Sequence, residues 1–238
     1  AQGEKYLTDV ISIARDAAFG FYYADDLDAL AAAGARVWIG HDAEHVEGAD
    51  TVVVSSAIRE DNPELAAARA GGLRILHRSQ ALAATMTDTH WRIAVAGTNG
   101  KTTTTALFAY LLTALGEDPS FVVGGELVGG DLGVMGNARW GAGPHYVVEA
   151  DESDGSFLVY HPHIAVVTSV QPDHLDYYGT AEVVEEAYRA FVATIPSDGL
   201  LVVCVDDPGA AQLGGWAQAQ GLRVVGYGTS HAAEVRVN

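Results

Sequence analysis

Short, almost unbroken apolar runs are the feature of this sequence that most restricts its fold. They are dominated by Val, Ile and Leu, and several lack the polar alternation of a strand with one face in water. Strands that are apolar on both sides are typical of a parallel sheet with helices on both faces. We therefore predict strands over 35–40, 51–56, 73–78, 91–97, 145–150, 163–170, 199–205 and 221–228.

Helical patterns lie between these runs. We predict helices over 62–71, 102–116, 181–195 and 208–220. The repetition of strand, helix and strand is typical of an α/β fold built from βαβ units. The segment 80–91 closes one set of strands before the next begins, so we predict two domains, 1–90 and 91–238. Near the N-terminus, the segment 25–34 has the pattern of a helix that ends at Gly34, whereas the segment 17–24 before it fits no unit that its pattern identifies.

Charge and composition argue against several classes of partner. The 238 residues carry a formal net charge of −18, whereas nucleic acids and anionic membrane surfaces attract basic patches. No apolar run approaches the about 18 residues of a membrane-spanning helix, and the first residues lack the pattern of a signal peptide. The single cysteine, Cys204, cannot form an internal disulfide. We expect a cytoplasmic protein with neither nucleic acid nor membrane as partner, and the sequence predicts no oligomeric state.

The segment GTNGKT (97–102) is the strongest chemical signal. It follows a predicted strand and opens a predicted helix, which is the setting of a phosphate-binding loop. Its glycines allow backbone N–H groups to approach phosphate oxygens, Lys101 would reach the terminal phosphates, and Thr102 would hold Mg²⁺. Val95 stands where the longer consensus has its first glycine. A glycine-rich turn that only caps a helix is the alternative interpretation.

Two further polar clusters follow predicted strands. Glu149 begins the acidic run EADESD (149–154), and His174 lies in PDHLD (172–176). Open α/β sheets bind ligands at the carboxyl ends of their strands, and carboxylates bind hard cations. A solvated acidic loop and a surface histidine are the alternatives. Together with the phosphate loop, the two clusters predict metal-assisted phosphoryl transfer from a nucleoside triphosphate.

Three segments together resemble one family. GTNGKTTTT (97–105), VEADESDGSF (148–157) and VVTSVQPDHLDYYG (166–179), in this order, are similar to the central ATPase domain of the Mur ligases of peptidoglycan synthesis. The segment 34–72 is similar to the later half of the UDP-binding domain of the same family. The resemblance implies a Rossmann-like N-terminal domain, then a P-loop ATPase-like domain with a mostly parallel sheet. It also implies a third, C-terminal domain that the chain lacks.

The best match within the family is the branch that joins L-alanine to UDP-N-acetylmuramate. The resemblance therefore implies these two substrates, ATP and Mg²⁺ as cofactors, and amide formation through an acyl phosphate. The implied ATP-binding residues are Gly97, Thr98, Asn99, Gly100, Lys101, Thr102 and Thr103. The implied catalytic residues are Lys101, Glu149 and His174, and the implied metal ligands are Thr102, Glu149 and His174. The implied substrate-binding residues are Ser55, Ser56, Ala57, Asn62, Asp151, Glu152 and Ser153.

Departures from the family pattern keep other interpretations open. Asn99 stands where the alanine-adding branch usually has histidine, which points to a later-acting sibling. Tyr188 stands where several of those siblings have a carbamylated lysine, which points back to the alanine-adding branch. The G-x-G-G-x-G loop expected before residue 34 is not visible. The alternatives are a sibling Mur, murein-peptide or folylpolyglutamate-type ligase, or a nucleotide-binding module without ligase activity.

Overall fold

The computed structural model describes residues 12–15, 32, 35–128 and 133–237. The chain divides into two compact units, Ala1–Ala81 and Leu82–Asn238. Most of the first 34 residues, including the predicted helix over 25–34 apart from Ala32, lie outside the described residues.

Parallel strand pairs form the frame of the first unit. β1 (Ser12–Arg15) pairs with β2 (Arg36–Ile39), and β3 (Thr51–Val54) pairs with β4 (Arg74–His77). Helix α1 (Pro63–Ala70) connects β3 to β4, so the three elements form a βαβ unit. Three strands and one helix that the sequence predicts in this part of the chain are thereby confirmed.

Besides β1, two elements of this region are not predicted from the sequence. A 3₁₀ helix, Ala43–Val46, is tied to α1 because His41 and His45 contact the Glu64 carboxylate at 2.6 and 2.7 Å. Helix α2 (Arg78–Thr85) spans the division between the units. Its sequence is mostly alanine and polar residues and Ser79 is its buried side chain, so it lacks the apolar stripe that predicts a helix.

One eight-stranded sheet organises the second unit. Its strands are β5 (Trp91–Ala96), β6 (Ser120–Val128), β7 (Val134–Arg139), β8 (His145–Glu149), β9 (Ile164–Val167), β10 (Leu200–Cys204), β11 (Arg223–Gly228) and β12 (Val235–Arg236). Their spatial order is β12-β11-β10-β9-β5-β8-β6-β7, and every neighbouring pair is parallel except β6 with β7. The connecting helices are α3 (Lys101–Ala114), α4 (Leu175–Tyr178), α5 (Ala181–Ala193) and α6 (Pro208–Ala219), with a 3₁₀ helix over Ser156–Val159. The α/β class and the mostly parallel sheet are confirmed.

The antiparallel hairpin of β6 and β7 is absent from the sequence-based prediction. Phe121 faces Arg139 and Leu127 faces Gly136, and the register shifts between these two pairs. The segment contains several glycines, which weaken strand patterns and often mark bulges or close approach of another group. The same glycines interrupt the alternating pattern that would predict these strands and permit the irregular pairing of the hairpin.

Both faces of the large sheet are covered, which explains the unbroken apolar runs. Ala94, Val148 and Val167 belong to a buried cluster that includes Phe191 of α5 and Leu213 of α6. Ile93, Phe121 and Val147 belong to a second cluster with Ala109 of α3. Neighbouring residues of β5 therefore enter cores on opposite faces, as a doubly covered parallel sheet requires. Among the described residues, no helix combines the length and the apolarity needed to cross a bilayer.

Candidate nucleotide-binding site

The strand order brings the three chemical signals of the sequence to one edge of the sheet. β5 lies between β8 and β9, and all three strands run in the same direction. The phosphate loop, the acidic segment and the segment that carries His174 each follow the carboxyl end of one of these strands. The three segments therefore begin next to one another. This is the edge at which open α/β sheets bind ligands.

The turn of the phosphate loop depends on two glycines. Gly97 has φ +136° and Gly100 has φ +84°, which are conformations that side chains with a Cβ rarely adopt. Gly97 is also tightly enclosed, because a Cβ at this position would lie 2.1 Å from Thr168 Oγ1. Val95, at the position of the first consensus glycine, is fully buried in β5. The turn is therefore shorter than the longer consensus and begins at Gly97.

The segment after β9 supports the loop from the side. The Thr98 and Asn99 N–H groups donate to the Ser169 carbonyl at 3.1 Å and to Ser169 Oγ at 3.0 Å. Thr168 Oγ1 donates to the Asn99 carbonyl at 2.5 Å, and the Gln171 N–H donates to Thr98 Oγ1 at 2.9 Å. Thr168 and Ser169, predicted as the end of a strand, lie beyond β9 and belong to this support.

Helix α3 begins with no side-chain cap at Gly100. The first N–H groups of a helix have no partner one turn earlier, and the helix dipole places partial positive charge there. Thr102 and Thr103, in this first turn, are exposed. An uncapped, accessible helix start after a tight glycine turn is suited to bind a phosphate group, and it argues against a turn that only caps the helix.

Lys101 is held within the site by two oxygen-bearing groups. Its Nζ donates to the Gly97 carbonyl at 2.8 Å and to Glu152 Oε1 at 3.0 Å, with Glu152 Oε2 at 2.9 Å. The Lys101 side chain is 14% exposed and that of Glu152 is 3% exposed. Burial of this kind strengthens an ion pair while making either partner costly to keep alone.

Glu149 joins the acidic segment to the phosphate loop. Thr102 Oγ1 donates to Glu149 Oε1 at 2.8 Å, and the Gly124 N–H donates to Glu149 Oε2 at 2.7 Å. A Cβ at Gly124 would lie 2.8 Å from Oε2, so glycine is required for this approach. The structure places Thr102 and Glu149, both predicted as metal ligands, in contact with each other, whereas Gly124 comes from the unpredicted hairpin. The pair Gly124-Gly125 inside an apolar run is the one sequence signal that could have indicated this close approach to Glu149.

His174 lies on the segment after β9 and immediately precedes α4. It is half-buried, its φ is +51°, and its N–H donates to Asp173 Oδ1 at 2.8 Å. Histidine in this left-handed conformation carries strain, which is often concentrated at functional sites. Within the described part of the chain, no three His, Cys, Asp or Glu side chains form a set that could hold a metal ion by themselves. Any cation here would need other oxygen ligands as well.

The rest of the acidic segment is ordered by short-range contacts. Asp151 accepts hydrogen bonds from the Ser153 N–H at 3.1 Å and from Ser153 Oγ at 3.0 Å. The Tyr178 hydroxyl donates to the Glu152 carbonyl. Burial, together with the charges of nearby acidic residues, raises the pKa of Tyr178 to about 12. Tyr178 therefore remains a neutral donor at all physiological pH values.

Tyr188 lies beneath the site and belongs to the core. It is 1% exposed and meets Phe157 edge to face, with ring centroids 5.6 Å apart. Burial first, and then the charge of Glu152, raises the pKa of the Tyr188 hydroxyl. A neutral phenol in this position cannot replace the charged carbamylated lysine that several sibling ligases have there.

The candidate substrate residues of the first unit lie between β3 and α1. Ser55 and Ser56 follow the end of β3 directly, and Ala57 is exposed in the turn that the Ser55 carbonyl forms with the Ile58 N–H at 3.1 Å. Ser55 Oγ is buried and has no hydrogen-bond partner in the structure. Asn62 is buried and caps α1, because its Oδ1 accepts from the Leu65 N–H at 3.0 Å. The Asn62 side chain thus already has a structural role.

Two family models match successive parts of the chain. The Mur ligase middle domain matches residues 95–238, and the model described as the catalytic domain of the Mur ligase family matches residues 19–90. A UDP-N-acetylmuramate–L-alanine ligase of Renibacterium salmoninarum is 62% identical over 207 residues, which are 87% of this chain and 43% of that protein. One of the same name from Kineococcus radiotolerans is 55% identical over 214 residues, 89% of this chain and 44% of that protein.

Solved structures give the same result. The UDP-N-acetylmuramate-alanine ligase of Thermotoga maritima has a TM-score of 0.73 and 28% identity, over 91% of this chain and 46% of that one. The UDP-N-acetylmuramate:L-alanyl-gamma-D-glutamyl-meso-diaminopimelate ligase of Neisseria meningitides has a TM-score of 0.76 and 27% identity. This match covers 92% of this chain and 70% of that one. The chain thus spans less than half the length of the curated relatives it matches. Since the middle-domain match alone covers more than half of its residues, this chain belongs to the Mur ligase family.

Proposed function

We propose that this chain supplies the substrate-binding and ATP-binding parts of an enzyme that joins L-alanine to the lactyl carboxylate of UDP-N-acetylmuramate. Residues 1–90 would bind the uridine diphosphate part of the substrate, and residues 91–238 would bind ATP. The observation that carries the proposal is the convergence of Lys101, Thr102 and Glu149 at one sheet edge. The choice of substrates rests on relatives that bear this name at up to 62% identity.

The phosphate loop is the proposed site of the ATP triphosphate. The residues that would surround it are Gly97, Thr98, Asn99, Gly100, Lys101, Thr102 and Thr103. Two of the three N–H bonds of the Lys101 ammonium point to protein acceptors, so a third remains for a phosphate oxygen. The triphosphate is anionic and the chain carries −18, so local positive charge from Lys101 and the start of α3 is needed to hold it.

The side chains around Thr102 fit a magnesium ion. Adjacent ligands of an octahedral Mg²⁺ with bonds of about 2.1 Å lie about 3 Å apart, and Thr102 Oγ1 lies 2.8 Å from Glu149 Oε1. Both are oxygen ligands, which this hard cation prefers. Thr102 and Glu149 would hold one ion, and Glu149 and His174 a second. When bound, the ions would neutralise charge on the transferred phosphoryl group.

The proposed reaction has two steps. A lactyl carboxylate oxygen attacks the γ-phosphorus, the bond from that phosphorus to the β-phosphate bridging oxygen breaks, and ADP leaves. The amino group of L-alanine, as the free base, then attacks the acyl carbon, and phosphate leaves with the electrons of the broken C–O bond. The nitrogen loses one proton to solvent and becomes the amide nitrogen. In the first step two anions must meet, so Lys101 would stabilise both the approach and the charge that develops.

Each unit has its own group of proposed contacts with the muramyl nucleotide. Ser55, Ser56, Ala57 and Asn62 are the proposed contacts with the uridine diphosphate, and the unpaired Ser55 Oγ is the donor best suited to it. The acidic segment with Asp151, Glu152 and Ser153 is the proposed neighbour of the lactyl group, because it follows the same sheet edge as the phosphate loop.

A sibling ligase is the second candidate. The relative from Neisseria meningitides is named for joining a tripeptide, rather than alanine, to UDP-N-acetylmuramate, and its TM-score of 0.76 is comparable with that of the alanine ligase from Thermotoga maritima. Both names share the nucleotide sugar and differ in the amine. The amine that stimulates ADP release therefore separates the two candidates.

The nucleotide site can be tested on the 238-residue chain by calorimetric titration with a nonhydrolysable ATP analogue and Mg²⁺. We expect saturable binding that Lys101→Met abolishes. Arg189→Met is the matched control, since it removes a cation paired with Glu185 on α5 and should leave binding unchanged. Equal binding by wild type and Lys101→Met would refute the phosphate site.

The substrates can be tested with the protein produced from its whole reading frame. ADP release is measured with UDP-N-acetylmuramate, Mg²⁺ and a panel of L-alanine, L-serine, glycine and L-alanyl-γ-D-glutamyl tripeptide. We expect L-alanine to give the highest rate, and little or no ligation by the 238 residues alone. Stimulation by the tripeptide only would support the sibling, and nucleotide binding without any amine-dependent turnover would support a binding module.

A further inference from the structure

We infer that Glu152 is a positioning residue for Lys101, whose buried carboxylate fixes the ammonium group for phosphoryl transfer. This inference rests on the proposed function, because it assigns a further part to the same site. The resemblance to the family places Glu152 with the substrate contacts. The structure instead directs its carboxylate to the lysine of the phosphate loop, with both oxygens within 3.0 Å of Nζ.

The geometry leaves the lysine little freedom. Nζ is held from two sides, by the Gly97 carbonyl at 2.8 Å and by Glu152 Oε1 at 3.0 Å. A lysine side chain is a flexible stem that loses considerable rotamer entropy when it is fixed. Because both contacts are with groups of the protein itself, that entropy is lost on folding and not on binding. The ammonium keeps one N–H for a phosphate oxygen.

Glu152 itself is fixed by the fold. Its carbonyl accepts from the Gly155 N–H at 3.0 Å and from the Tyr178 hydroxyl. The turn closes at Gly155, where φ is +70° and a Cβ would lie 3.0 Å from Tyr177 Oη. Since Glu152 comes three residues after Glu149 at the end of β8, the sheet edge determines where its carboxylate lies.

Charge explains why such a residue would affect turnover more than affinity. The carboxylate competes with the phosphate groups for the same ammonium, so its removal does not weaken the attraction of Lys101 for ATP. Removal does release the ammonium from its fixed position. Misplacement of a reacting group by about 1 Å can lower a rate roughly 100-fold. A side chain that served only the fold would lower the number of nucleotide-binding sites, whereas the turnover per binding site would stay unchanged.

Amine acylation tests the contact directly, because Lys5 is the only other lysine in the sequence. The 238-residue chain is treated with a limiting acylating reagent, and the rate at each lysine is read by peptide mass spectrometry, with Lys5 as internal reference. We expect Glu152→Gln to raise the Lys101 rate roughly tenfold, the effect of losing one charge-assisted hydrogen bond. Glu185→Gln, which removes a paired carboxylate of α5, should change neither rate.

Kinetics test the consequence in the protein from its whole reading frame. We expect Glu152→Gln to lower kcat roughly 10- to 100-fold without raising KM for ATP. Glu152→Asp should show the same loss, because its carboxylate keeps the charge but is one methylene too short to touch Nζ. Full activity of Glu152→Asp would overturn the inference, since charge without contact would then suffice.

The outcomes separate this inference from the proposed function. If Lys101→Met abolishes nucleotide binding while Glu152→Gln matches wild type in acylation and kcat, the positioning role is refuted and the phosphate site stands. If neither variant changes nucleotide binding or turnover, the phosphate site itself is refuted. An unfolded Glu152→Gln is recognised by its circular dichroism, and the double variant Lys101→Met/Glu152→Gln then provides the test. Removing both buried charges should restore thermal stability relative to either single variant, and failure to do so would refute the pairing.

Discussion

Substitution of Gly97 by alanine tests the packing that shapes the phosphate loop. Two costs can be assigned from the structure. The first is backbone strain, about 1–3 kcal/mol for a side chain at φ +136°. The second is overlap, because the new Cβ would lie 2.1 Å from Thr168 Oγ1 and 2.9 Å from the Ser169 N atom; overpacking of this kind costs about 1–3 kcal/mol. We expect a total loss of about 4 kcal/mol in the free energy of unfolding.

Gly100→Ala is the matched control. Gly100 also has a positive φ, +84°, but the nearest atom to its notional Cβ is 4.0 Å away. Strain without overlap should cost about 1–2 kcal/mol. The difference between the two variants, about 2 kcal/mol or more, therefore measures the overlap. A Thr168→Ala background should reduce the cost of Gly97→Ala, because the nearest obstacle is then removed.

The assay is urea unfolding followed by tryptophan fluorescence in a Trp38→Phe background. The remaining tryptophans, Trp91, Trp140 and Trp216, then all lie in the second unit, so the signal reports that unit alone. The enclosure of Gly97 is refuted if its substitution costs no more than that of Gly100. It is also refuted if the cost is the same with and without the Thr168 hydroxyl.

Three further predictions concern the surroundings of the site. Asp207→Ala should destabilise the second unit by about 1–2 kcal/mol in urea unfolding and weaken nucleotide binding, because Asp207 caps α6 through the Ala210 N–H and also accepts from the Val170 N–H at 3.0 Å; unchanged binding would separate the cap from the site. His174→Ala should raise the Mg²⁺ concentration needed for half-maximal ADP release, and an unaltered Mg²⁺ dependence would leave His174 a structural residue. Stability should fall as pH rises from about 10 to 12, because burial raises the pKa of Tyr178 and Tyr227 to about 12 from 10 in the unfolded chain. Their neutral forms stabilise the fold fully below pH 10, and the contribution is lost as pH passes through 12. Urea unfolding at pH 8 and pH 11.5 measures the fall, which Tyr178→Phe and Tyr227→Phe together should diminish.

Local pattern determines much of the second unit. An apolar run that enters both cores, as β5 does, must be a covered strand, and its near-continuous Val, Ile and Ala make this visible in the sequence. The phosphate loop is visible for a similar reason, since its glycines, lysine and threonine act within a few residues of one another. Glu149 could be placed at a strand end because carboxylates after buried strands meet at one sheet edge.

Other features of the site depend on residues far apart in the chain. Gly124 reaches Glu149 only through the β6 and β7 hairpin, whose glycines remove the two-residue period that predicts strands. The segment with Thr168 and Ser169 supports the loop because β9 lies beside β5. The local periodicity of a sequence does not determine the order of strands in a sheet. Glu152 shows the limit most clearly. The sequence places it in an acidic run, whereas only the sheet edge decides that its carboxylate meets Lys101, since burial and pairing depend on what the tertiary fold brings within 3 Å.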